Sequence, residues 1–88
     1  MRLDPPTNAE RCAVRRALLH VADELGIDAH EPLARALFIA RAGLVARELV
    51  DDLVRADRQH HGLRYREIGI AFGITMQSAH LRFRDHRS

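Results

Sequence analysis

A chain of 88 residues builds one small core, which excludes a multi-domain enzyme. Its 47% apolar and 30% charged content is that of a globular chain rather than a disordered tail, and 5% aromatics without Trp make the core aliphatic. The net charge of +2 is small, and no stretch approaches the roughly 18 apolar residues needed to cross a bilayer.

Helical spacing runs through almost the whole chain, and no alternation of apolar and polar residues persists long enough for a strand. The start MRLDPP lacks the apolar run of a signal peptide, so residues 1–6 are expected to be a flexible lead, with Pro5 and Pro6 blocking regular structure. A first helix is predicted over about Ala9–Leu25. Thr7 or Asn8 supplies the N-cap, Glu10 sits in the first turn, and Gly26 terminates it. Val14, Leu18, Val21 and Leu25, flanked by Ala17 and Ala22, form its apolar stripe. Cys12 cannot close an intrachain disulfide, so a reducing cytoplasm is the expected setting. With Arg15 and Arg16 beside it a redox sensor is conceivable, but a buried small side chain is the expectation.

A second helix is predicted to begin near Pro32, because proline suits the first helical position. No stop signal follows until Gly62, which makes a helix of roughly 43 Å. Such a helix either bends near Gly43 or packs partly on something outside the monomer. Leu37, Phe38 and Ile39 are consecutive, so their side chains point about 100° apart. The doublets Leu44-Val45, Leu49-Val50 and Leu53-Val54 continue a stripe wide enough for two neighbours. Leu37, Phe38 and Ile39 are therefore expected to form a homodimer interface; the alternative is that the first helix folds back and covers them.

The C-terminal third differs in charge. Residues 1–54 hold seven Arg against nine acids, a net of −2, and residues 55–88 hold seven Arg against three acids, a net of +4. All basic residues are Arg, a composition that hints at a GC-rich genome. A basic segment of this kind suits either a polyanion partner or a solvated surface. Within GLRYREIGIAFGITMQSAHLRFR (62–84), helical spacing places Ile68, Ala71 and Phe72 on one face. Gly73 stops that helix, Ile74 packs back, and Thr75 caps a new helix from Met76, whose inner face is Ala79 and Phe83. Gln77, His80, Leu81 and Arg84 point outward, and the small residues Gly69 and Ala79 fall where the two helices must approach. Two short helices joined by a three-residue turn have the outline of a helix-turn-helix.

This stretch resembles the helix-turn-helix of sigma-factor region 4 and, more closely, that of small actinobacterial DNA-binding proteins. Gly62, Ile68, Gly69, Gly73, Gln77, Ala79, His80, Arg82 and Phe83 match the family pattern, and Tyr65, Phe72, Ile74 and Thr75 are conservative replacements. The similarity covers about residues 44–84. Three positions depart from it: Arg64 stands for an N-cap Ser, Met76 for an Arg that starts the recognition helix, and Ser78 for Ala. The resemblance implies a C-terminal helix-turn-helix (62–88); with the helical spacing upstream, the expected fold is all-α, with a flexible lead (1–6) and an N-terminal helical hairpin with a long second helix that dimerises (7–61).

It also implies a sequence-specific transcriptional regulator bound to double-stranded DNA, associated with the nucleoid. The DNA-facing residues would be Arg64, Arg66, Thr75, Met76, Gln77, Ser78, His80, Leu81 and Arg84. Gln77 would pair with adenine or contact a phosphate, Leu81 would touch a thymine methyl, Thr75 and the helix start would hold a phosphate, and Arg64 and Arg66 would contact phosphates. Arg82 is expected in a structural ion pair with Glu67. An adaptor that holds a protein of the transcription machinery is the second reading; nonspecific coating of the nucleoid is a third. His60-His61 with His80 or His86 make a poor metal set, because adjacent helical His residues diverge. No nucleophile, base and orienting acid come together, so neither an enzyme nor a cofactor is expected.

Overall fold

The computed structural model describes residues 2–84; the expectations placed on Met1, on His86 and on the end of the 62–88 segment lie outside the described residues. The fold is all-helical: α1 (Asn8–Glu24), α2 (Ala34–His61), α3 (Tyr65–Phe72) and α4 (Met76–Phe83), with no strand among the described residues. None of these helices is long and apolar enough to cross a membrane. The chain divides into two compact units, residues 5–47 and residues 48–84 with the segment before Pro5.

In the first unit α1 starts on a reciprocal cap. The Thr7 hydroxyl accepts from the Glu10 N–H at 3.1 Å, and the Thr7 N–H donates to Glu10 Oε1 at 2.9 Å. The Thr7 backbone N–H first, and then the Thr7 hydroxyl near the carboxylate, hold the Glu10 carboxyl below its ordinary value of 4.5. Leu25 is the C-cap and Gly26 follows with φ of 70°, as the sequence predicts. The apolar stripe is narrower than predicted. Ala22 is fully buried and Leu18 half-buried, but Val14, Val21 and Leu25 are exposed, because only the Leu18–Ala22 line meets the rest of this unit. Cys12 lies off that line and is exposed, against expectation.

The second helix begins at Ala34 rather than Pro32. Leu33 adopts φ of 66°, a left-handed conformation that a helix start does not tolerate, so Pro32 falls in the preceding turn. Arg35 in the first turn of α2 pairs with Asp23 in the last turn of α1. The helix then runs unbroken for 28 residues, roughly 42 Å at 1.5 Å per residue.

The second unit holds the core. Ile68, Ala79 and Phe83 are buried, and Val50, Val54, Leu63, Tyr65, Phe72 and Ile74 pack against them. One residue of each later α2 doublet therefore faces α3 and α4, and its neighbour, Leu49 or Leu53, is exposed. Gly73 ends α3 with φ of 69°, a left-handed cap that costs glycine little. Thr75 caps α4, its hydroxyl accepting from the Ser78 N–H at 3.0 Å.

The turn is tight: a Cβ on Gly69 would lie 2.7 Å from the Ile74 carbonyl oxygen. Arg82 is structural, as expected, but its partner is Asp51 of α2 at 3.3 Å, not Glu67. Arg55 closes the end of α4, donating to the carbonyls of Arg84 at 3.2 Å and Arg82 at 3.4 Å. The lead is not wholly free either, since the Leu3 N–H donates to the Ala71 carbonyl at 2.6 Å.

Candidate nucleic-acid interface

The inner and outer faces of α4 differ sharply. Ala79 and Phe83 are at 0% exposure, whereas Met76 is 56% and Leu81 64% exposed. Gln77 and His80 share that outer face. Opposite them stands the start of α3, whose cap residue Arg64 makes no side-chain capping bond and is exposed. Between the two helix starts lies an open concavity of about 680 Å³. Arg64, Tyr65 and Arg66 line it from α3, and Met76, Gln77, His80 and Leu81 line it from α4.

Six of the nine residues assigned to DNA thus border one hollow. The other three are placed differently. Thr75 and Ser78 are engaged with each other: besides the cap, the Thr75 hydroxyl donates to Ser78 Oγ at 3.0 Å. Their hydroxyls are committed to starting α4. Arg84 is the exposed C-cap residue at the far end of α4.

Four arginines of this unit contrast in their partners. Arg55 and Arg82 are tied to Asp52 at 3.5 Å and Asp51 at 3.3 Å. Arg64 and Arg66 are exposed and form no ion pair among the described residues. These are the free positive charges at the rim, and they suit an anion held in solvent.

A further pair contributes that residue-by-residue reading missed. The Arg58 guanidinium lies 4.1 Å over the Tyr65 ring, and Tyr65 meets His80 edge to face at 4.8 Å. Arg58 Nε is buried with no hydrogen-bond partner, and the ring face offers the guanidinium a favourable contact. Arg58, Tyr65 and His80 form a short stack from α2 through α3 to α4 that fixes the His80 ring at the hollow. Helical spacing could not reveal it, because Gly62 interrupts the helix between Arg58 and Tyr65.

Of the expected dimer residues, Leu37 is 55% exposed while Phe38 and Ile39 are half-buried. Ile39 borders a small cavity with Arg15, Leu18 and Leu19 of α1, inside its own unit. His60 and His61 are exposed in the last turn of α2. Among the described residues no group of three or more His, Cys, Asp or Glu is placed to hold a metal ion.

No protein-family model, curated protein or solved structure matches this chain.

Proposed function

We propose that this protein is a small dimeric, sequence-specific DNA-binding regulator, in which α3, the turn and α4 form a helix-turn-helix and α4 enters the major groove. The N-terminal helices form a hairpin that carries the dimer contact. The observation that supports the reading most is the hollow between Arg64–Arg66 and the outer face of α4. It combines unpaired cations at the rim with Gln77 and His80 on an exposed helix face. Rim cations suit phosphates, and Gln and His side chains suit base edges. A protein of this kind would be found on the nucleoid.

The test is selection of bound fragments from random duplex DNA at physiological salt, followed by two variants. Arg66→Ala should weaken binding to all sequences alike and lower the salt slope by about one unit. Gln77→Ala should cost roughly 1–3 kcal/mol on the selected site and relax preference at one base pair. If both variants bind every duplex as the parent does, the surface is misassigned. The adaptor reading then gains, because the exposed Met76 and Leu81 also suit a groove on a protein.

The dimer is tested separately. Leu37 is the most exposed of its three assigned residues. Sedimentation at micromolar concentration should give a species of twice 10.0 kDa, and Leu37→Asp should shift it toward monomer. The same variant should weaken binding to DNA, because two half-sites are held together. A parent chain that sediments only as a monomer refutes the dimer without touching the DNA surface.

A further inference from the structure

We propose that Met76 and Leu81 together read the C5-methyl group of a pyrimidine in the major groove, which makes the methyl, and not hydrogen bonding alone, a determinant of the target. This rests on the DNA-binding reading above and deepens it. Four α4 side chains border the hollow: Met76, Gln77, His80 and Leu81. Two of them are apolar and more than half exposed. Neither serves the core, whose α4 members are Ala79 and Phe83.

Helical geometry sets who neighbours whom. Residues four apart lie on the same face one turn apart, so Met76 stands beside His80, and Leu81 beside Gln77. Each apolar group thus has a hydrogen-bonding group next to it. An A·T pair presents the same mixture on its major-groove edge: adenine N6 and N7, thymine O4 and the thymine methyl. Gln77 suits the adenine atoms, and Leu81 one turn on suits the methyl. Met76 extends the apolar surface at the start of the helix.

A purely polar reader would have no use for two exposed apolar groups here, since leaving them in water forgoes the gain of burial. The occupant is a nucleic acid rather than a neutral apolar surface because Arg64 and Arg66 border the same hollow without internal ion pairs. The chemistry recognised is a methyl at pyrimidine C5, which thymine carries always and cytosine only after methylation.

The experiment uses the full chain and three random 20-base-pair libraries of the same design. One contains ordinary bases, one has uracil for thymine, and one has 5-methylcytosine for cytosine. Uracil keeps the O4 acceptor and the pairing and removes only the methyl. A duplex selected from the first library should lose about fourfold in affinity for each methyl removed at one or two thymines, with the remaining thymines insensitive. Met76→Ala and Leu81→Ala should bring that thymine-to-uracil ratio toward one. Both are exposed positions, so the folded chain is expected to survive.

A gain confined to the 5-methylcytosine library, with thymines indifferent to uracil, assigns the methyl to modified cytosine and supports the same pocket. Equal affinity for all three libraries and for their selected duplexes overturns the proposal while leaving DNA binding intact. So does a thymine-to-uracil ratio that neither variant changes. Failure to retain any library, even at low salt, overturns the DNA-binding reading itself.

Discussion

Replacing Phe83 by Ala should unfold the second unit. Phe83 is fully buried, its ring 5.4 Å from that of Phe72, with the Arg82 guanidinium 4.8 Å from its centroid. The other buried members of its cluster are Ile68 and Ala79, and Phe83 is the largest fully buried side chain among the described residues. Truncating a buried Phe costs about 3–5 kcal/mol. A core this small supplies about the same amount in total. The variant should therefore lose cooperative thermal unfolding and much of its helical circular dichroism at 25 °C, while Phe83→Leu should retain both at a lower midpoint. A Phe83→Ala protein melting within a few degrees of the parent would mean that the stabilising core lies elsewhere.

The second large effect concerns a glycine. Ala is the better helix former by about 1 kcal/mol, so propensity alone predicts that Gly69→Ala stabilises α3. Space opposes it. The added methyl would lie 2.7 Å from the Ile74 carbonyl oxygen and 3.2 Å from two atoms of the Thr75 carbonyl group. All three are backbone atoms of the turn and cannot rotate away. The turn is also pinned, since the Ile74 N–H donates to the Gly69 carbonyl at 2.9 Å. Overpacking of this kind costs typically 1–3 kcal/mol and here acts on rigid atoms, so the net effect should be a loss of roughly 2 kcal/mol.

Because the turn between α3 and α4 must shift to admit the methyl, the proposed binding to DNA should fall with it. Gly43→Ala is the matched control: nothing lies within 4 Å of a Cβ there, so the propensity gain should appear undiminished. Chemical denaturation of both variants decides the matter. A Gly69→Ala protein as stable as the control would show that the turn yields more readily than its geometry implies.

The α3–turn–α4 segment was legible in the sequence because its signals are local and chemical. Gly73 is where a left-handed residue is needed, Thr75 is a cap, and Gly69 and Ala79 are small where two helices touch. Helical spacing sends Gln77, His80 and Leu81 outward, and these border the hollow; Met76 joins them there without having been placed by spacing. What local spacing missed are the partners brought together from far along the chain. Glu67 was the acid at hand for Arg82, but the fold supplies Asp51, which is 31 residues away. The Arg58–Tyr65–His80 stack spans three helices. The start of α2 was misplaced for a different reason. Proline is a good helix opener, yet the left-handed Leu33 that follows it has no compositional sign. Cys12 is exposed although a small side chain of its kind suits a core, because the width of a buried face is set by what packs on it.

Asp51 and Arg55 have a practical consequence for anyone wishing to transplant the recognition surface. The piece that looks modular in sequence, from Gly62 onward, is not self-sufficient. Cut there, Arg82 loses Asp51, the last carbonyls of α4 lose Arg55, the Tyr65 ring loses the Arg58 cation, and the buried cluster loses Val50 and Val54. A graft onto another scaffold has to begin no later than Glu48, carrying the second half of α2 as a built-in splint. The same helix continues upstream of that point, so a foreign helix can be fused in phase with it to carry the graft.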